Sequence, residues 1–487
     1  MKKSIAVAAS ICFMISACVV GPDYKKPTLE VEGWIHAANE EPVDLAWWTL
    51  FEDPILNGLV EEVASSNLDI QMAQSRLREA RALQGIAKAS RYPVISGNGG
   101  FTDQQQSLNG PGAAPALIES GQADRRSSLY EAGFDVAWEL DLFGGKRRAR
   151  EAAAARVGVA VAGKRDVAIT MIGELARNYI ELRGNQKRLR LLSKHVETQE
   201  ETLRLIRQKV KFGLAREVDE TRAKAQLEHT RAQLPNLEAA ISSASYRIDI
   251  LTGRQPGALY QTLATSIPLP APPEVVPMGL KSDLLRRRPD IQQAERELAE
   301  STANIGVKVA ELYPSFSLTG SAGYQAVNSL GDLFKGASGL WLLRPSIDMP
   351  IFAGGRLRAD VEAAEARERH AALSYERTVL NALRETESAL VSYAKEQETR
   401  IAYMESVQAS SRSVELTSRL YRQGLIDFFE VLSAQQSLLT VQDQLAQSET
   451  RALSHLIALY KSLGGGWEVI EESMHINQNK EIKDEES

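Results

Sequence analysis

The side chains that could do chemistry in this sequence are few. The six histidines, His36, His195, His229, His370, His455 and His475, are scattered without the spacing that a bound metal requires. No HExxH, GxSxG or P-loop string occurs, so hydrolytic and nucleotide-driven chemistry lack their usual residues, and no enzyme is expected. The glycines Gly97, Gly99 and Gly100 fall within an alternating, strand-like run rather than ahead of a helix. One residue is placed for covalent chemistry, and that is Cys18.

Its setting is an export signal. Met1-Lys2-Lys3 is a basic start, and Ile5 to Ile15 is an apolar run too short to span a bilayer. The string Ile15-Ser16-Ala17-Cys18 resembles a bacterial lipobox. That motif implies a diacylglyceryl group on the Cys18 sulfur, removal of the signal peptide 1–17 and acylation of the new amine. Several acyl chains, at about 0.8 kcal/mol per buried CH₂, anchor a chain end durably. Cys12 leaves with the signal, so no disulfide is expected, and the lipid is the only prosthetic group.

The 487 residues are enough for more than one core at ~150 residues per domain. A net charge of -6 and a pI near 5.8 argue against nucleic-acid binding. Beyond the N-terminus there is no apolar run of the ~18 residues that a membrane helix needs. The chain is, however, a tandem duplication. Asn67 to Ser96 aligns with Arg288 to Ser317 through pairs such as Asp69/Asp290, Ile70/Ile291, Leu77/Leu298, Gly85/Gly306 and Pro93/Pro314. Phe143-Gly144-Gly145 is echoed by Phe352-Ala353-Gly354-Gly355, and Phe212-Gly213-Leu214 by Gln423-Gly424-Leu425. The offset falls because the first copy carries an insert, Leu108 to Ser127, that reads as a loop between strands.

Each copy reads as helix, extended pair, long helix, glycine turn and returning helix. Leu175, Leu182, Leu189, Val196, Leu203 and Val210 recur every seventh residue, which is coiled-coil periodicity. Arg148 to Lys211 and Arg358 to Gln423 run without proline, predicting helices of ~90 Å at 1.5 Å per residue. The extended pairs alternate with period two. Ala132, Phe134, Val136, Trp138, Leu140 and Leu142 face one side, and Glu131, Asp135, Glu139 and Asp141 the other. Phe316 to Tyr324, Trp341 to Ile351 and, more weakly, Val94 to Phe101 supply the remaining strands. Apolar-out, polar-in strands are the pattern of an outer-membrane barrel, with Trp138 near mid-membrane. Four strands cannot close such a barrel, and an open edge in lipid leaves backbone groups unsatisfied, so the chain must share the barrel with copies of itself. Three copies give a lumen that is not plugged by side chains.

The opening Cys18-Val19-Val20-Gly21-Pro22-Asp23-Tyr24-Lys25-Lys26-Pro27 resembles that of outer-membrane lipoproteins of tripartite RND-type efflux systems. So do Trp47-Trp48, Phe51-Glu52-Asp53-Pro54, Arg288-Pro289-Asp290-Ile291, and Gly424-Leu425 followed by Leu432-Ser433-Ala434-Gln435-Gln436. The family is the outer membrane factor (TolC-like) family, and the resemblance covers Cys18 to about Leu463. It implies a mixed α and β membrane protein. Four β-strands of each protomer would contribute to a trimeric 12-stranded outer-membrane β-barrel, above a long periplasmic 12-helix α-barrel and an equatorial domain. The implied partners are a periplasmic adaptor protein, an inner-membrane RND pump and outer-membrane lipid of a Gram-negative cell. The implied activity is passive export of drugs or other small molecules through the homotrimer. A type I protein-secretion exit duct is the alternative, and a structural coiled-coil lipoprotein a more distant one.

The expected organisation is a signal at 1–17, an anchored and equatorial segment at 18–56, a first repeat at 57–255 with its hairpin at 93–143, and a proline-rich surface linker at 256–280. A second repeat follows at 281–463 with its hairpin at 314–352, then a tail at 464–487. Arg286-Arg287-Arg288 reads as a solvated helix start, and the acidic stretch from Glu471 as disordered. The resemblance further implies adaptor-docking turns at Gly213 and Gly424 and a periplasmic gate beyond them. Aligned on Gly424, Phe429 takes an apolar constriction position, Glu430 a first acidic ring and Ser433 a second, where the family usually carries aspartate. Tyr421 and Asp219 match a tyrosine and an aspartate that tie the family's coiled coils shut.

Overall fold

The computed structural model of the chain describes residues 19–28, 45–109, 114–121, 124–265, 267–273, 276 and 286–468. Cys18 and the acidic stretch from Glu471 lie outside the described residues. The first copy runs α1 (Pro54–Ser66), α2 (Leu68–Ala89), β1 (Val94–Gln105), β2 (Arg126–Leu140), α3 (Gly145–Lys211), α4 (Glu217–Arg231) and α5 (Leu234–Leu251). The second runs α6 (Pro289–Ala310), β3 (Ser315–Val327), β4 (Gly339–Asp348), α7 (Arg356–Arg422) and α8 (Phe428–Ser462). Both long helices, α3 and α7, have 67 residues. The first return helix breaks at Ala232–Gln233, just ahead of Pro235, whereas α8 has no proline and continues for 35 residues. In the insert after β1 one short helix forms, Ala114–Glu119.

The chain divides into two compact units. The first comprises 1–27, 78–158 and 295–374 and contains the sheet. Its order is β1-β2-β3-β4, antiparallel throughout. The register places like with like: Val136 opposite Ile95, Trp138 opposite Leu318, Leu140 opposite Phe316, Ala322 opposite Trp341 and Phe316 opposite Ile347. Phe134, Trp341, Leu343 and Ile347 on this face are all exposed within the protomer. On the opposite face Asn98 donates to Asp135 (2.7 Å), Gln325 to Glu131 (3.0 Å), and Ser317 and Ser346 share a hydrogen bond of 2.7 Å. The inward carboxylates therefore have partners in the sheet, where the sequence left them to water; Glu139 pairs with Lys146 at 3.2 Å.

Two expectations are corrected at the strand ends. Asp141 is not an inward strand residue. It lies beyond β2 and accepts from the Lys146 and Arg147 amides (3.0 and 2.8 Å), so that α3 begins at Gly145 rather than Arg148. Trp138 is not central either. It stands two residues from the end of β2, and its indole N–H donates to the Arg91 carbonyl at 2.9 Å. The middle of the strand is at Gly133 and Phe134. In the same unit the segment after Cys18 is strapped down. Val20 N donates to Phe143 O, and Arg148 donates to the carbonyls of Val20 and Gly21 and to Asp23 (2.8 Å). Tyr24 reaches Glu295, which is the physical content of the opening Val-Gly-Pro-Asp-Tyr string.

The second unit comprises 28–77, 159–294 and 375–487. Its core gathers Trp47, Trp48 and Phe51 with Leu56, Leu175, Tyr179, Ile248, Leu456 and Tyr460. Trp47 stacks on Tyr460, with centroids 5.7 Å apart and planes 6° from parallel. Asp53 caps α1 by accepting from Ile55 N and Leu56 N, and also accepts from Tyr179 Oη at 2.5 Å. Arg183, 1% exposed, donates to Tyr179 Oη and to the carbonyls of Leu263 and Thr265. Desolvation, with the hydrogen bond to Asp53, holds the Tyr179 phenol well above its usual pKa. The linker is therefore not a free surface run. Leu263 and Val276 are buried, and Pro273 O accepts from Tyr393 and Gln397. The start of the tail is also held, since Trp467 Nε1 donates to Arg287 O at 3.2 Å under the Arg165 guanidinium.

The duplication reappears in how each returning helix ends. Asn67 caps α2 by accepting from Asp69 N and Ile70 N, and its amide donates to Leu251 O at 2.8 Å. Its counterpart Arg288, 8% exposed, donates to Ser462 O at 2.9 Å, to Asp290 at 2.6 Å and to Glu385 at 2.9 Å. Arg288 is thus a buried clamp and not a solvated helix start. Gly253 and Gly464 follow these joints in left-handed backbone (φ 73° at both), and a Cβ at Gly253 would lie 2.7 Å from Ser66 O. Arg288→Ala should cost about 2–3 kcal/mol, below the ~3–5 of a fully buried pair because Asp290 and Glu385 keep solvent contact. Asn67→Ala should cost about 1–2 kcal/mol, as for a lost cap. Urea unfolding followed by tryptophan fluorescence checks both values and their order.

Candidate functional site at the helix turns

Residues 205–222 and 416–435 belong to the second unit and make the two glycine turns. Each long helix stops by the same backbone device. Leu214 N donates to Lys209 O (2.8 Å) and Gly213 N to Val210 O (3.0 Å), while Leu425 N donates to Leu420 O and Gly424 N to Tyr421 O, both at 3.0 Å. Gly213 and Gly424 have φ of 71° and 74°, a left-handed conformation that admits glycine at little cost. The turns carry exposed apolar side chains, Phe212, Leu214 and Leu425. Between them lies a cavity of about 520 Å³ lined by Leu205, Ile206, Lys209, Phe212, Tyr421 and Phe428. A helix turn normally buries such side chains or offers them to a partner.

The sequence-selected gate residues are only partly brought together. Phe428, Val431 and Leu432 turn inward onto Val196, Leu203, Ile206, Ala223 and Leu227. Phe429, Glu430 and Ser433 are consequently left together on the exposed face of α8, as i, i+1 and i+4 positions require. Tyr421 and Asp219 do not bond to each other within the chain. Lys209 Nζ lies 3.5 Å from the Tyr421 hydroxyl and 4.6 Å from its ring centre, and the Phe428 ring packs beside Tyr421 with centroids 5.4 Å apart. Asp219 is buried and accepts from the backbone and guanidinium of Arg216 (both 3.3 Å), capping α4. Arg216 in turn reaches Asp427, the residue before α8, at 3.4 Å. Its hydrogen bond with Asp219, and the nearby charges of Asp219 and Asp427, raise the Arg216 pKa.

The tie between the two returning helices is therefore Asp219–Arg216–Asp427, with Tyr421–Lys209 as a separate contact. Arg216, Asp427 and Lys209 carry no motif of their own in the sequence, although the repeat relates Arg216 to Asp427. Gly213 and Gly424 are 211 residues apart, and the same offset pairs Asp219 with Glu430, Arg216 with Asp427 and Arg222 with Ser433. Lys211 and Arg216 flank the first turn, so trypsin reports its opening. Asp219→Ala should speed tryptic cleavage there several-fold, because the cap and the tie to Asp427 are both lost. Tyr421→Phe keeps the ring under Lys209 and against Phe428 and should cleave at the unchanged rate; equal acceleration by both would return the Tyr421–Asp219 latch.

The chain is similar to known proteins along both of its copies. The sequence model described as Outer membrane efflux protein matches residues 59–254 and again 280–465, once per copy. Nodulation protein T of Rhizobium leguminosarum bv. trifolii is 32% identical, over 93% of this chain and 96% of its own length. A probable efflux pump outer membrane protein of Pseudomonas putida, TtgC, is 30% identical over 99% of each chain. The solved outer-membrane channel OprN superposes with a TM-score of 0.86 at 36% identity, covering 92% of this chain and 100% of that one. The open state of the Neisseria gonorrhoeae MtrE outer membrane channel gives 0.80 at 27%, covering 92% and 99%. With both halves matched in order and the folds superposing over nearly their full lengths, this chain belongs to the outer membrane efflux protein family.

Proposed function

We propose that the chain forms a homotrimeric, passive duct of a tripartite efflux system, anchored by lipid on Cys18 and carrying drugs or other small molecules outward. The sheet is the observation that supports this reading. Its apolar face is exposed within the protomer, and among the described residues β1 and β4 each have an edge without a strand partner. In lipid every unpaired backbone group costs several kcal/mol, so the sheet must close against further copies. The polar face, with Glu131, Asp135, Ser317 and Ser321, then lines an aqueous lumen. The exposed aromatic and leucine side chains of the two turns suit a periplasmic adaptor, with an inner-membrane RND pump behind it. Energy comes from that pump. The strap Val20–Tyr24 holds the residue after Cys18 close to the end of β2, so the acyl chains enter the membrane at the level where the strands begin.

Cys18→Ser should abolish incorporation of labelled palmitate yet leave the barrel in the outer membrane. Label persisting in the variant would remove Cys18 as the acceptor. Phe134→Arg, at the middle of β2 on the apolar face, should cost about 2–4 kcal/mol per protomer and deplete trimers that resist mild detergent. Asp135→Arg, on the polar face of the same strand, should leave the trimers intact in the same gel assay. Equal loss from the two would mean that the sheet faces the other way.

A further inference from the structure

The exposed face beside Phe429 carries an uncommitted positive charge. The guanidinium of Arg222, on α4, sits 5.3 Å above the Phe429 ring. Phe429 is 52% exposed, and Glu430 follows it on the same face. Three nearby cations are already engaged. Arg216 holds Asp219 and Asp427, Arg207 pairs with Glu220 at 2.9 Å, and Lys209 covers Tyr421. Among the described residues neither Arg222 nor Glu430 forms an ion pair. Both are solvent-exposed, on the two helices that follow the glycine turns.

The duplication sharpens the point. Arg222 is the first-copy counterpart of Ser433, at the 211-residue offset that relates Gly213 to Gly424. The second acidic position after the turn is therefore a hydroxyl in one copy and a guanidinium in the other. The first acidic position is Glu430 in one copy, exposed, and Asp219 in the other, buried under Arg216. Among the described residues, Arg222 and Glu430 thus stand beside Phe429 on the exposed face, each without an ion-pair partner. A ring of carboxylates would favour cations, whereas interleaved arginine and glutamate cancel much of that field and leave local sites for both signs.

We propose that Arg222 is a specificity-determining residue of the constriction: stacked on Phe429, it offsets Glu430 and admits solutes that bear a negative group. This rests on the reading of the chain as a duct narrowed at Phe429 and Glu430. Stacking keeps the long arginine side chain on the constriction face instead of free in solvent, as cation–π contacts do.

The test is the reversal potential of the purified full-length protein in planar bilayers under a KCl gradient at low ionic strength, where screening is weakest. Wild type should show little preference between the ions. Arg222→Gln should shift the reversal potential toward cation selectivity, Glu430→Gln toward anion selectivity, and Arg222→Lys should stay near wild type because the charge is kept. If Glu430→Gln shifts the potential and Arg222→Gln does not, the role given to Arg222 is overturned while the constriction stands. If conducting channels of both variants keep the wild-type potential, the constriction lies elsewhere, and the reading on which the proposal rests falls with it.

Discussion

The second unit is built around closing the ends of its returning helices. A helix leaves its last carbonyls without intrahelical donors, and here those ends are buried against the start of a leading helix. In one copy the Asn67 amide reaches Leu251 O; in the other the Arg288 guanidinium reaches Ser462 O. Asn67 also caps its own helix, whereas Arg288 draws in Asp290 and Glu385. The same joint is made twice by different chemistry, with a left-handed glycine following each time. Once these joints fix where the half-length helices meet, the aromatic cluster around Trp47 and Tyr460 can pack, and Asp53, Tyr179 and Arg183 can satisfy one another out of water.

The sheet obeys a different constraint. Its strands are held to one another by register, and register alone assigns each side chain to a face. Trp138 with Leu318, Leu140 with Phe316 and Ala322 with Trp341 build an apolar surface that no element of the sheet covers. The polar face is knitted by Asn98–Asp135, Gln325–Glu131 and Ser317–Ser346, which allows carboxylates to stand beside a lumen without relying on solvent alone. A surface of this kind is stable only where lipid replaces water on one side and further strands meet both edges. Among the described residues no strand meets the outer edge of β1 or β4.

At the turns the two copies have kept the backbone and exchanged the side chains. The hydrogen bonds that end α3 and α7 are the same, and both glycines take the same left-handed conformation. Asp219 has become a buried cap while Glu430 stays exposed, and Arg222 stands where the other copy has Ser433. Duplication made the scaffold twofold, and divergence made its end asymmetric in charge. The tie between the returning helices, Asp219–Arg216–Asp427, runs through an exposed guanidinium, where solvent screens the ion pairs.

The sequence by itself determined the order of elements, the duplication, the length of the two long helices and the alternation of the strands. Those signals are local: period two, period seven, a proline-free run and a glycine that ends a helix can all be read without knowing what lies across from them. Phe429, Glu430 and Ser433 are singled out by the family resemblance, aligned on Gly424, and the structure leaves all three on the exposed face of α8. Only the tertiary structure decided that Asp141 caps α3 instead of lining β2, that Trp138 lies near a strand end, and that Arg288 is buried. Only it paired Asp219 with Arg216 and Tyr421 with Lys209. A side chain's partner is set by residues distant in sequence, and a charged residue at a helix start reads the same whether it meets solvent or a buried carbonyl. Periodicity reports which face a residue occupies; packing decides what that face meets.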